Sequence, residues 1–168
     1  QIKMNEGVPV FVTATEEHHF KVTVDQLEAA RTDKTKVLLL NSPSNPTGMI
    51  YSREELEAIG NWAVEHDLLI LADDIYGRLV YNGNTFTPIS SISESIRQQT
   101  IVINGVAKAY AMTGWRVGYA VGNPEIIAAM GKIIGQTTSN LTTVAQYAAI
   151  EAFTGPQDTV ETMRQAFE

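Results

Sequence analysis

Leu68-Leu69-Ile70-Leu71-Ala72-Asp73-Asp74-Ile75-Tyr76 decides what kind of fold this chain can adopt. Its first five residues are apolar without interruption, whereas a strand with one wet face would alternate. An unbroken run of this length suits a parallel strand covered on both faces. The run ends on two aspartates. A carboxylate at the end of a buried strand is costly unless something positive or hydrogen-bonding meets it.

The flanking sequence extends the pattern on both sides. Upstream, Ser52 and Glu55 have capping-box spacing, and Leu56, Ile59, Ala63 and Val64 share one helical face, so a helix of about four turns is expected. His66 falls at its C-terminal end, where it reads as a dipole cap and not as a catalyst. Further upstream, Lys36-Val37-Leu38-Leu39-Leu40 is a second unbroken run. It leads into Asn41-Ser42-Pro43-Ser44-Asn45-Pro46-Thr47-Gly48, whose prolines and glycine impose a loop at the strand's carboxyl end. Open α/β sheets hold their ligands at that edge.

Downstream, Thr100-Ile101-Val102-Ile103-Asn104 is a third buried strand. It feeds Gly105-Val106-Ala107-Lys108-Ala109-Tyr110-Ala111-Met112-Thr113-Gly114-Trp115-Arg116-Val117-Gly118, and residues 117–122 suit another strand. Asn123-Pro124-Glu125 opens a helix with proline at its first position and Ile126, Ile127, Met130, Ile133 and Ile134 as its apolar face. A further helix is expected from about Thr142, using Leu141, Val144, Ala145, Ala148 and Ala152, up to Gly155-Pro156. Residues 160–168 read as a helix in progress.

Elsewhere, Val8–Val12 reads as a short strand, Asp25–Arg31 as helical, and residues 84–98 as a polar, serine-rich surface connection. Glu16-Glu17-His18-His19 reads as a solvated loop, because adjacent histidines in an extended segment point to opposite faces and cannot share a metal. Strands alternating with helices imply a three-layer α/β/α fold with a mostly parallel sheet and right-handed crossovers. One domain accounts for residues 1–168.

Composition narrows the function classes. The 168 residues are 44% apolar and 18% charged, ordinary for a globular protein, with a net charge of -7 and no cysteine. The acidic balance offers no basic stripe for nucleic acid, and without cysteine there is no thiolate metal site, disulfide or cysteine nucleophile. No apolar run approaches membrane-spanning length, and Gln1–Glu6 lacks the shape of a signal peptide. A soluble chain of the reducing cytoplasm is expected, and both ends read as interior to a longer protein. No dinucleotide-binding or phosphate-loop glycine pattern, nucleophile elbow or His-Glu-x-x-His pair occurs.

The lysine stretch carries chemistry of its own. A lysine amine captures an aldehyde only in its neutral form, which poor solvation or a neighbouring cation favours. Arg116, eight residues after Lys108, offers that cation, and its planar fork matches a phosphate bidentately. A lone loop lysine is usually only a solvated charge; the whole string raises Lys108 above that reading.

That string resembles the lysine signature of the class I and II pyridoxal-phosphate aminotransferases, which belong to the fold type I group. Asn41–Gly48 resembles the family's Asn-Pro-Thr-Gly loop, and Asp73-Asp74-Ile75-Tyr76 its Asp-x-x-Tyr motif, in the family's order and spacing. Within the family the chain looks closest to bacterial-type aspartate aminotransferases. The resemblance implies that Lys108 forms the Schiff base and then serves as general base. It implies that Asp73 pairs with the pyridinium, that Asn45 and Tyr76 hold the ring oxygen, and that Arg116 holds the phosphate.

The implied activity is transfer of an amino group between an amino acid such as aspartate and a 2-oxo acid, in a homodimer when full length. The resemblance covers nearly the whole chain and corresponds to the central part of the family's large, cofactor-binding domain. Two departures stand out. Gly105, Val106 and Ala107 occupy a region where many relatives carry a phosphate-assisting serine, and Asp74 stands where glutamate is more usual. The family's upstream glycine-rich loop, ring-stacking aromatic and downstream carboxylate-binding arginine are absent from these residues, so little turnover is expected from them alone. The alternatives are a pyridoxal-phosphate sensor domain of a transcription regulator and a structural fragment without activity.

Overall fold

The computed structural model of the chain describes residues 2–168. Four strands, β1 (Val37–Asn41), β2 (Leu69–Asp73), β3 (Thr100–Gly105) and β4 (Gly118–Val121), form one sheet in that order. The first two pairings are parallel and the last is antiparallel. The connections explain this difference. A parallel return needs a crossover, supplied between β1 and β2 by α2 (Arg53–Glu65) and between β2 and β3 by a path containing α3 (Glu94–Gln98). Between β3 and β4 the chain has no α-helix, only a short 3-10 turn at Thr113–Trp115, and it comes back beside itself. The mostly parallel sheet expected from the sequence is present.

Register brings the strand ends level. Asn41 pairs with Asp73, and Asp73 with Ile103, so the loops after β1, β2 and β3 leave the sheet at one edge. Side chains alternate along β2: Ile70 and Ala72 enter the main core, where they meet Leu40, Leu56, Ile59 and Ile96. Ile70 is fully buried, and burying such a side chain contributes roughly 1.5–3 kcal/mol.

The caps hold as expected. Ser52 accepts from the Glu55 N–H at 3.2 Å, and the Glu55 carboxylate accepts from the Ser52 N–H at 2.6 Å. His66 ends α2, and its Nε2 lies 3.2 Å from a carboxylate oxygen of Glu28 in α1 (Val24–Ala30). The same carboxylate accepts from Arg31 and from the Trp62 indole N–H. Those two bonds, the arginine's first, hold Glu28 down at about 2. Asn123 caps α4 (Pro124–Thr137), with proline at its start.

The sequence reading needs four corrections. Val8–Val12 forms no strand; it pairs with neither edge of the sheet, and Val8 and Phe11 are 85% and 88% exposed. Residues 84–98 are not merely a surface connection, because Ile89 and Ile96 are fully covered in the main core and α3 forms there, capped by Ser93. Serine-rich composition hid isoleucines at 89, 92 and 96, spaced three and four apart. Ile133 and Ile134, expected on a packed face of α4, are exposed. In α5 (Thr143–Thr154), Ala145 and Ala149 pack on Val106 and Val117 while Val144 is 70% exposed, because small alanines allow the close approach that the larger side chains would prevent. The final helix, α6, runs Asp158–Phe167.

Candidate active site

Asn45, Tyr76 and Lys108 each lie a few residues beyond the end of a strand, Asp73 is the last residue of one, and Arg116 precedes β4. Asn45 and Tyr76 meet: the Asn45 side-chain N–H group donates to the Tyr76 phenol oxygen at 3.2 Å. The Lys108 ammonium lies over the Tyr76 ring, 5.6 Å from its centroid. Asp73, the last residue of β2, is half-buried, and its Oδ1 accepts from the Ile75 N–H at 3.2 Å. Three loops from three strands thus converge around one phenol.

Asn41 binds these loops together, a role its place in the turn string did not reveal. Its side-chain N–H donates to the Asp73 carbonyl at 3.0 Å, and its Oδ1 accepts from the Asn45 N–H at 2.9 Å. The strand-end aspartate and the Asn45 loop are therefore tied to one side chain. The signal available in sequence was a polar residue ending an otherwise apolar strand.

Arg116 stands somewhat apart. It adopts a left-handed backbone with φ of 57°, and its guanidinium donates to the Thr113 carbonyl at 3.0 Å. It lines an open hollow of about 470 Å³ with Trp115, Asn140 and Thr142. A separate hollow of about 340 Å³ adjoins Asn45 and Tyr76. The two hollows share no lining residue, and neither Lys108 nor Asp73 lines either of them. Lys108 is exposed, so the poor solvation considered from sequence does not surround its amine.

Asp74 behaves differently from its neighbour. It is only 6% exposed, and burial, reinforced by the Asp73 charge, pushes its carboxyl up to about 6. Among the described residues no group of three or more histidines and carboxylates could hold a metal, and no helix is long and apolar enough to cross a membrane.

The family described as Aminotransferase class I and II matches residues 1–168. The chain belongs to that family. This aminotransferase chain is 79% identical over all its residues to an asparagine–oxo-acid transaminase of Streptococcus mutans, and 57% identical to an aspartate aminotransferase of a Bacillus species. It spans 43% of the length of each. Among solved structures, an aspartate aminotransferase from Rhizobium meliloti superimposes with a TM-score of 0.96 at 38% identity, over 99% of this chain and 42% of that one. An aspartate aminotransferase from Thermus thermophilus, solved with maleate, gives 0.89 at 39% identity over 98% of this chain and 42% of that one. Class I and II aminotransferases such as these use pyridoxal phosphate.

Proposed function

We propose that these residues are the central part of the large domain of a pyridoxal-phosphate transaminase, which exchanges an amino group between an amino acid such as aspartate and a 2-oxo acid. The observation that carries this reading is the grouping of Asn45, Tyr76 and Lys108 at one sheet edge, beside Asp73. The donor set fits the cofactor. Asn45 and Tyr76 would hold its phenolic oxygen, Asp73 its ring nitrogen, Arg116 its phosphate and Lys108 its aldehyde carbon.

When bound, pyridoxal phosphate supplies a carbonyl for amine capture and an electron-accepting ring. The chain's own residues do the rest. Lys108 holds and returns a proton at its Nζ as general base. The Asp73 carboxylate favours a protonated partner opposite it. Arg116 offers a bidentate fork to an anion, which fixes orientation as well as charge. Names of relatives at 79% and 57% identity support a transaminase over the regulator alternative.

A cytoplasmic homodimer completes the reading. Val144, Tyr147 and Ile150 of α5 are 70%, 71% and 55% exposed, and a helix that leaves such residues in water calls for a cover, from a second subunit or from the further length that the relatives possess.

Pyridoxal phosphate followed by borohydride and peptide mapping tests the proposal. The label is expected on Lys108 and is lost in Lys108→Arg. Even labelling of Lys3, Lys21, Lys34, Lys36 and Lys132 alongside it would overturn the assignment.

A further inference from the structure

Tyr76 and Lys108 share no hydrogen bond; their ring–ammonium contact at 5.6 Å is too weak to set their separation. Their positions are set by the turns that carry them, and the two turns are built alike. The Tyr76 carbonyl accepts from the Leu79 N–H at 2.8 Å, closing a turn that contains Arg78. The Lys108 carbonyl accepts from the Ala111 N–H at 3.1 Å, closing a turn that contains Tyr110. In each case the residue two positions after the functional one projects to a common point, Gln157.

At that point the Gln157 Oε1 accepts from the Arg78 guanidinium at 2.7 Å and from the Tyr110 hydroxyl at 3.3 Å. Its Nε2 donates to the Ala152 carbonyl at 3.0 Å and the Gly155 carbonyl at 2.7 Å. Both amide protons and the acceptor oxygen are committed, and donors on one side with carbonyls on the other fix which way the amide faces. The backbone cannot slide either, because the Gln157 carbonyl accepts from Val160 and Glu161 at the start of α6.

The anchored partners are held elsewhere too. The Arg78 guanidinium lies over the Tyr110 ring at 5.6 Å, and that ring meets Phe153 edge-on at 5.6 Å.

We propose that Gln157 is a positioning residue. It joins the Tyr76 turn to the Lys108 turn through Arg78 and Tyr110, and so sets where the amine stands over the phenol ring. Its importance for transfer rests on the transaminase reading above, but the positioning itself does not. Gln157 touches neither Tyr76 nor Lys108 and acts only through its two partners.

The test uses the cofactor-free protein. Reductive methylation with ¹³C-formaldehyde marks the lysines, Lys108→Arg identifies the Lys108 signal, and the ring current of Tyr76 displaces that signal from the others. Gln157→Leu is expected to return it to the position of the solvated lysines with the circular dichroism unchanged. In parallel, pyridoxal-phosphate labelling of Lys108 in Gln157→Leu slows about ten- to a hundredfold, the scale of a misplaced reacting group.

An undisplaced Lys108 signal in the parent protein, or a displaced one that survives Gln157→Leu, overturns the inference. Should Gln157→Leu fail to fold, Tyr110→Phe removes one hydroxyl and decides instead; an unmoved signal there is equally fatal. A signal that responds to Gln157 while Lys108 takes no label leaves this inference standing and removes only the transaminase reading.

Discussion

The side-chain amide of Asn45 donates to the phenol oxygen of Tyr76 across 3.2 Å, although thirty-one residues and a whole crossover helix separate them in the chain. Two donors preset side by side can serve one acceptor without further ordering when it arrives, and such preorganisation lowers the cost of binding. The Asn41 amide, bonded to both loops, keeps the arrangement from drifting.

Tyr76→Phe keeps the ring beneath Lys108 but removes the hydroxyl. Cofactor affinity, followed by absorbance titration, is expected to fall about tenfold, the loss of one hydrogen bond to a charged oxygen. The position of the borohydride-trapped label stays at Lys108.

Arg116→Lys keeps the charge and discards the fork. Because a lysine binds phosphate as a point charge only, pyridoxal phosphate is expected to bind roughly tenfold more weakly, while pyridoxal without its phosphate is unaffected. Equal losses for both compounds would take Arg116 out of the phosphate role.

Asp74 makes stability depend on pH. Burial, then the neighbouring Asp73 charge, raises its carboxyl from 3.8 to about 6. Between those values the folded chain keeps a proton that the unfolded chain has released, so stability is full at the acid end and falls as pH rises through about 6. The loss is at most about 3 kcal/mol. Asp74→Asn is expected to flatten that slope in urea unfolding from pH 4 to 7 and to be the more stable protein above pH 6.5.

Gly60 lets α2 close on α3. A Cβ there would stand 2.5 Å from the Ile96 Cδ1, so Gly60→Ala is expected to destabilise the fold by about 1–3 kcal/mol through overpacking. Ile96→Val in the same chain relieves part of the clash, and a double-mutant cycle reads the coupling.

The 168-residue chain alone is expected to show negligible steady-state transamination. Lys108 and Arg116 are exposed and both adjacent hollows are open, so nothing here excludes water from the reacting groups. A clear turnover rate from the purified chain would contradict this.

The three parallel strands and the α2 crossover were legible because unbroken apolar runs and a capping box are local patterns with local causes. The antiparallel return of β4 was not, since it depends on the absence of a helix between Gly105 and Gly118, and a turn-rich stretch leaves strand direction open. Ile89 and Ile96 escaped notice because their serine neighbours diluted the apolar signal. Val144 was misplaced because helical periodicity tells which residues share a face, not which face the rest of the molecule will cover.

By itself the sequence determined the residue types available at the sheet edge, an amide, a carboxylate, a phenol, an amine and a guanidinium, along with the strands that deliver them. Whether they meet was decided only in three dimensions. The level register of β1, β2 and β3 places Asn45 and Tyr76 within hydrogen-bonding distance, and Gln157 gathers Arg78 and Tyr110 from far apart in the chain. The physical reason is that hydrogen bonds reach about 3 Å, a tolerance that strand pairing and helix packing set and that spacing along a chain cannot.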